Sequence, residues 1–151
     1  MPSEYIHRRR VEFVEADAGG VLHFSNYFRF MESAEHAFFR SLGLHVFESS
    51  EAGTVAWPRV RAACSYHAPL RVDDEVEVEV VVASKRRRAI ELWFVLRRDG
   101  ERVAMGAFRN VCVMLDPRTG TMKSRDIPGD VDAALAVADA ERLAALPSPW
   151  R

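Results

Sequence analysis

Cysteine is scarce in this chain: there are two, Cys64 and Cys112, both inside alternating apolar segments. That excludes a disulfide framework as the organising device and makes both of them small buried hydrophobes in a reducing compartment. No apolar run approaches the ~20 residues that a membrane span requires, and the opening MPSEYIHRRR has no apolar h-region. A cytoplasmic protein without a membrane partner is expected. An excess of one charge sign is also lacking, since 21 Lys and Arg stand against 22 Asp and Glu, so nothing global draws the chain to nucleic acid or to an acidic surface. The five histidines, His7, His23, His36, His45 and His67, include no close pair at metal-ligand spacing, and neither cysteine belongs to a CxxC. No metal is expected. Internal repeats, low-complexity tracts and interdomain linkers are missing too, and 151 residues then read as one domain, 1–151.

What the chain does contain is periodic. Val11 and Phe13 alternate with Arg10 and Glu12, which suggests a strand over 5–13. From Ser25 the period changes: Tyr27, Phe30, Met31, Ala34, Ala37, Phe38 and Leu42 recur at three and four residues, with Phe28 and Phe39 widening the apolar stripe. This predicts one largely enclosed helix of about five turns, started by Ser25 or Asn26 and closed by Gly43. Alternation returns in Val60, Ala62, Cys64 and Tyr66, in Val76 to Val82, and in Ile90 to Leu96, and Asp99-Gly100 makes a hairpin turn into the apolar segment 103–115. After Asp116-Pro117 and Pro128 the alanine-rich DVDAALAVADAERLAAL predicts a helical tail at about 128–146 behind a core of about 5–116. The expected class is α+β: an antiparallel sheet wrapped around a long central helix, with a short C-terminal helix.

One short stretch carries chemistry. EADAGGVLHFSNY, residues 15–27, places a lone acid, Asp17, before two glycines at the mouth of the helix. A carboxylate there serves as nucleophile or as general base, the latter worth ~10²–10⁴ in rate. Gly19 and Gly20 leave the backbone uncrowded, and the start of the helix offers unpaired N–H groups to a developing oxyanion. On local residues alone, an acid that merely caps a turn is the favoured reading of Asp17.

The order of elements, together with EADAGGVLHFSNYFRFMESAE and SYHAPLRVDDEVEV, resembles the hotdog-fold acyl-CoA thioesterases of the 4-hydroxybenzoyl-CoA thioesterase type. The matching positions are Asp17, Gly20 and Val21 before the helix, then Tyr66, Pro69, Asp73 and Asp74, over roughly 5–116. The resemblance implies hydrolysis of an acyl-CoA to acid and CoA without a further cofactor, in a site shared by the subunits of a homodimer or homotetramer. It further implies Asp17 as nucleophile or base and the Phe24 amide N–H as oxyanion donor. The departures are His23-Phe24 where relatives often carry Tyr-His, which leaves a role for His23 open, Glu15 for Asp, and Glu35 where Arg is common. Gly20, Val21 and Asn26 fall in the implied substrate site, and Trp57 and Pro58 either line the acyl pocket or are plain core. Lys85, Arg86, Arg87 and Arg88 either meet the CoA phosphates or form a solvated hairpin tip. An enoyl-thioester hydratase and a non-catalytic module that binds acyl-CoA or acyl carrier protein are the alternatives. The absence of a Gly-x-Ser-x-Gly elbow argues against an α/β-hydrolase.

Overall fold

The computed structural model describes residues 1–151. Strand β1, Glu4–Arg10, ends earlier than the alternation through Phe13 suggests. Phe13–Glu15 coil instead into a 3-10 turn, held by the Glu12 N–H donating to Glu15 Oε1 at 2.9 Å, and Phe13 and Val14 face solvent. Helix α1 follows at Asn26–Ser41, 16 residues or about four and a half turns. Ser25 stands at its N-cap without a side-chain capping bond, and Gly43, with φ +71°, closes its C-terminal end.

Two short strands, β2 (Glu48–Ser50) and β3 (Gly53–Ala56), precede the four long ones: β4 Arg59–Tyr66, β5 Glu75–Lys85, β6 Ala89–Arg98 and β7 Glu101–Val111. The segment 103–115, which reads as one apolar run, is divided at Cys112. The Cys112 N–H donates to the Arg88 carbonyl and its own carbonyl accepts from Arg125 N–H, so the chain leaves β7 and continues as β8, Val113–Leu115, in another sheet. Strand β9, Met122–Ser124, completes that sheet in the order β2-β3-β8-β9, and the main sheet runs β1-β5-β6-β7-β4, antiparallel throughout.

Alternation sorts the main sheet into two faces. Val78, Val80, Val82, Leu92, Phe94 and Phe108 form the inner face, and Phe30, Met31, Ala34 and Phe38 of α1 join them in one core. Burial of each large side chain of this kind contributes about 1.5–3 kcal/mol. Gly106 lies opposite Phe94 in this face, where a Cβ would stand 2.2 Å from Met31 Cε. The helix can approach the sheet there only because the residue has no side chain.

The expected single tail helix is two shorter ones, α2 Gly129–Ala134 and α3 Ala140–Ala144. Between them the Ala136 and Ala138 N–H groups donate to the Pro2 and Val82 carbonyls, so tertiary partners replace the intrahelical ones. The tail then crosses the outer face of the sheet. Arg142 reaches Glu4 at 2.8 Å and also Glu79, Trp150 Nε1 donates to Glu91 at 2.8 Å, and the Arg61 guanidinium lies 4.2 Å from the Trp150 ring centroid. Outer-face residues Val81, Val95, Met105 and Ala107 are accordingly buried. No helix is long and apolar enough to cross a membrane.

Candidate active site

The stretch around Asp17 folds as a small hairpin. Asp17 N–H donates to Val21 O at 2.8 Å, Ala16 bridges Leu22, and His23 N–H donates to Glu15 O at 3.0 Å. Leu22 is buried and its N–H donates to Leu70 O, which docks the hairpin on the segment before β5. By strand alternation Asp17, Val21 and His23 then share the opposite face. A second anchor is Glu15, whose carboxylate pairs with Arg9 at 2.6 Å while the Arg9 guanidinium covers the Phe30 ring at 3.8 Å.

Within the turn, Asp17 Oδ1 accepts the Gly19 N–H at 2.8 Å and the Val21 N–H at 3.4 Å, and Oδ2 has no partner in the chain. The two glycines have separate reasons. Gly20 holds φ +78°, a left-handed conformation that a side chain disfavours. A Cβ at Gly19 would lie 3.2 Å from Asp17 Oδ1. Asp17 lies at the surface of the single chain, not in a closed cavity.

Phe24 follows the hairpin and precedes α1. Its N–H has no hydrogen-bond partner in the chain, its side chain is 65% exposed, and its carbonyl accepts from Tyr66 Oη at 2.9 Å. His23 is turned to its own neighbours: Nδ1 pairs with Ser25 Oγ at 2.7 Å and accepts the Ser25 N–H at 3.3 Å, and the ring lies 4.5 Å from the Phe24 ring, tilted by 30°. No hydrogen bond joins it to Asp17. The Asn26 side chain donates to Glu15 O at 2.8 Å and so ties the start of the helix to the 3-10 turn.

The motif around Tyr66 to Asp74 is built as a corner. Asp74 Oδ2 accepts from Arg71 N–H at 2.8 Å and from Arg98 at 3.1 Å, and Asp73 takes φ +73°. Burial pushes the Asp74 carboxyl up, but these donors outweigh it and hold it below the ordinary carboxylate range.

Trp57 and Pro58 lie at the other end of β4. They border a recess of about 320 Å³ with Phe47, His36 and Glu35, and Trp57 meets Phe39 edge-on at 6.4 Å. Glu35 is 2% exposed and is held by Arg59 at 3.0 Å and Asn110 Nδ2 at 2.8 Å. Burial raises its carboxyl above the usual range against both partners. Asn110 Oδ1 is buried without a partner. This polar cluster was not anticipated from sequence, although a Glu on the same apolar stripe as Met31, Ala34 and Phe38 was a visible signal.

The basic run at the β5-β6 turn is divided. Lys85 Nζ is engaged by the Asp132 and Leu135 carbonyls, both at 2.7 Å, and by the Asp132 carboxylate at 3.0 Å. Its donors are thus committed to the C-terminal end of α2. Arg87 and Arg88 share Asp126 at 3.2 and 2.9 Å, whereas Arg86 forms no ion pair and borders a recess with Arg109. Burial pushes the Cys64 thiol up to about 11, so this cysteine is not an activated nucleophile. No three His, Cys, Asp or Glu side chains gather in a metal-holding group.

A family model described as the thioesterase-like superfamily matches residues 11–135. The acyl-CoA thioester hydrolase YbgC of Escherichia coli O6:H1 is 30% identical over 127 residues, 82% of this chain and 90% of that protein. The 4-hydroxybenzoyl-CoA thioesterase of Pseudomonas sp. is 29% identical over 101 residues, 66% and 69% of the two chains. Among solved structures, a hypothetical protein from Aquifex aeolicus superposes with a TM-score of 0.78 at 31% identity, over 87% of this chain and 99% of that one.

Proposed function

The chain belongs to the thioesterase-like superfamily and acts as an acyl-CoA thioester hydrolase, and from that premise we propose that Asp17 drives the hydrolysis and that the Phe24 N–H holds the oxyanion. The observation that carries this reading is the pairing of a free carboxylate oxygen, Asp17 Oδ2, with a free main-chain donor at Phe24 just past the same hairpin. Two routes balance. As nucleophile, Asp17 bonds to the thioester carbon, CoA leaves as thiolate, and water opens the resulting anhydride. As general base, Asp17 takes a proton from water as that water attacks, and the collapsing intermediate expels the thiolate, which picks up a proton. Either route develops negative charge on the carbonyl oxygen, and one donor at that point is worth about 2.7–4 kcal/mol of barrier. Val21 and Gly20 shape the approach, and Asn26 acts through the turn that it ties to the helix. The remaining imidazole donor of His23 leaves a minor assisting role open to it. No cofactor or metal enters the scheme, since water is the second reactant.

The site needs a second copy. Strand β4 is an edge of the main sheet, with Val60 59% and Tyr66 45% exposed. Such an edge invites pairing. Antiparallel pairing of β4 with the same strand of a partner lays its Tyr66 end beside the partner's Arg59 end. That brings the Asp17 hairpin of one copy toward Trp57 of the partner subunit and covers the apolar Phe24. The acyl group is then held in the Trp57 and Pro58 recess, and the CoA phosphates by Arg86, Arg87 and Arg88, with Lys85 shaping the turn beneath them. The architecture proposed is the hotdog, with α1 as its central helix, and the assembly a homodimer or a pair of them.

A panel of aromatic, short-chain and long-chain acyl-CoA thioesters, followed by thiol release in wild type and Asp17→Asn, tests the reading. Release that falls by roughly 10² or more in the variant supports it. Unchanged release in the variant removes Asp17 from the chemistry, and no release from any thioester leaves a binding module.

A further inference from the structure

We infer that Tyr66 is a positioning residue for the reaction: its phenol fixes the Phe24 backbone so that the Phe24 N–H stays aimed at the thioester carbonyl. This rests on the oxyanion role proposed above for that N–H.

Phe24 sits in a short joint. The hairpin ends at His23, whose N–H is bound to Glu15 O, and the helix begins at Asn26, whose N–H is bound to His23 O. Between these fixed points Phe24 has a free N–H and a side chain in solvent; the peptide plane that carries its N–H is tied at His23 O by Asn26, and the next plane, that of the Phe24 carbonyl, turns about the Phe24 dihedrals. What reaches it from the body of the protein is Tyr66 Oη, donating to the Phe24 carbonyl at 2.9 Å across 42 residues of sequence.

The tyrosine is itself held firmly. It is the last residue of β4, and its ring meets the ring of Tyr27 edge-on, with centroids 4.8 Å apart at 89°. Tyr27 is 3% exposed, so the phenol stands on a buried support. Burial, reinforced by Cys64 and Tyr27, pushes the phenol up to about 12, so at neutral pH it is an O–H donor. An oxyanion donor is useful only when its direction is set before the charge develops, because reorienting it during reaction forfeits the advantage over water. The Asn26 bond to His23 O holds one side of Phe24, and the Tyr66 contact adds the second restraint on the other side, at the one residue of the joint whose main-chain donor is unspent.

Tyr66→Phe removes the donated bond and keeps the ring on Tyr27. The expected result is kcat for thiol release lowered roughly ten- to a hundredfold, with KM within about twofold and oligomeric mass unchanged. An independent readout uses Asp17→Asn, in which turnover is blocked, loaded with a thioester carrying ¹³C at the carbonyl. The carbonyl resonance is displaced from its position in free acyl-CoA, and adding Tyr66→Phe returns it toward the free value. Site-specific 3-fluorotyrosine at position 66, a stronger donor, shifts the same resonance further. Wild-type kcat in Tyr66→Phe, a resonance indifferent to position 66, or a loss of activity explained wholly by a lower melting temperature overturns the inference. Those outcomes leave the functional reading intact so long as Asp17→Asn still loses activity; if no thioester is hydrolysed by wild type, it is the functional reading that fails.

Discussion

One oxygen of the Asp17 carboxylate accepts the Gly19 N–H at 2.8 Å, and the other has no partner in the chain. A single side chain thus closes its own turn and still presents a free oxygen. The geometry answers why an acid sits in so flexible a stretch: the glycines allow the loop to wrap around one half of the carboxylate.

The two glycines separate in their consequences. Gly20→Ala forces a side chain into φ +78° and is expected to lower stability by about 1–2 kcal/mol, read by thermal unfolding. At Gly19 the added methyl presses on Asp17 Oδ1, at 3.2 Å. Gly19→Ala should therefore leave the melting temperature nearly unchanged and lower the rate of thiol release severalfold. A melting point that falls as far as in Gly20→Ala would refute the distinction.

Gly106→Ala tests the contact between helix and sheet. The new Cβ meets Met31 Cε at 2.2 Å and the Ala63 carbonyl at 2.7 Å. Overpacking of this kind costs about 1–3 kcal/mol. Chemical denaturation should show the loss, and the same substitution made in a Met31→Ala background should cost less but still something, because the Ala63 carbonyl remains in the way.

Acid strips the tail of one of its anchors. Glu79, 6% exposed, is bound by Arg97 and Arg142. Burial pushes its carboxyl up, but these two guanidiniums outweigh that and hold it below the ordinary carboxylate range. A carboxyl lowered in the folded state contributes stability that is present above its unfolded value and lost as pH falls through the folded one. Arg142→Ala should lower stability by about 1.5–3 kcal/mol at pH 7, and the gap from wild type should narrow as pH drops below 4.5. A gap constant from pH 7 to pH 3 would contradict the assignment.

Pairing through β4 has its own test. Val60 is 59% exposed on that edge, and Val60→Asp places a charge where a second strand would lie. Light scattering should give at least twice the chain mass for wild type and a single chain mass for the variant, with thiol release lost in parallel. A wild-type protein that runs as a monomer while turning over acyl-CoA would exclude a shared site.

Much of the frame was legible beforehand because it rests on local periodicity. Val76 to Val82 and Ile90 to Leu96 alternate since a strand shows successive side chains to opposite faces, and Tyr27 to Phe38 recur at three and four because a helix turns every 3.6 residues. The Asp17 turn was legible for the same reason, as the glycines that it requires are its immediate neighbours.

What stayed hidden depends on partners far away in sequence. Tyr66 reaches Phe24, Asn110 reaches Glu35 across 75 residues, and Lys85 is committed to Asp132 and Leu135 instead of standing free with its basic neighbours. The alanine-rich tail has ample helix propensity, yet it breaks in two where Pro2 and Val82 take its N–H groups. The sequence by itself determined the helix, the long strands and the glycine turn around Asp17, through propensities and neighbours within a few residues. Only the tertiary structure decided which donors were spent and which were left free, because a hydrogen bond between distant residues leaves no periodic trace in the chain.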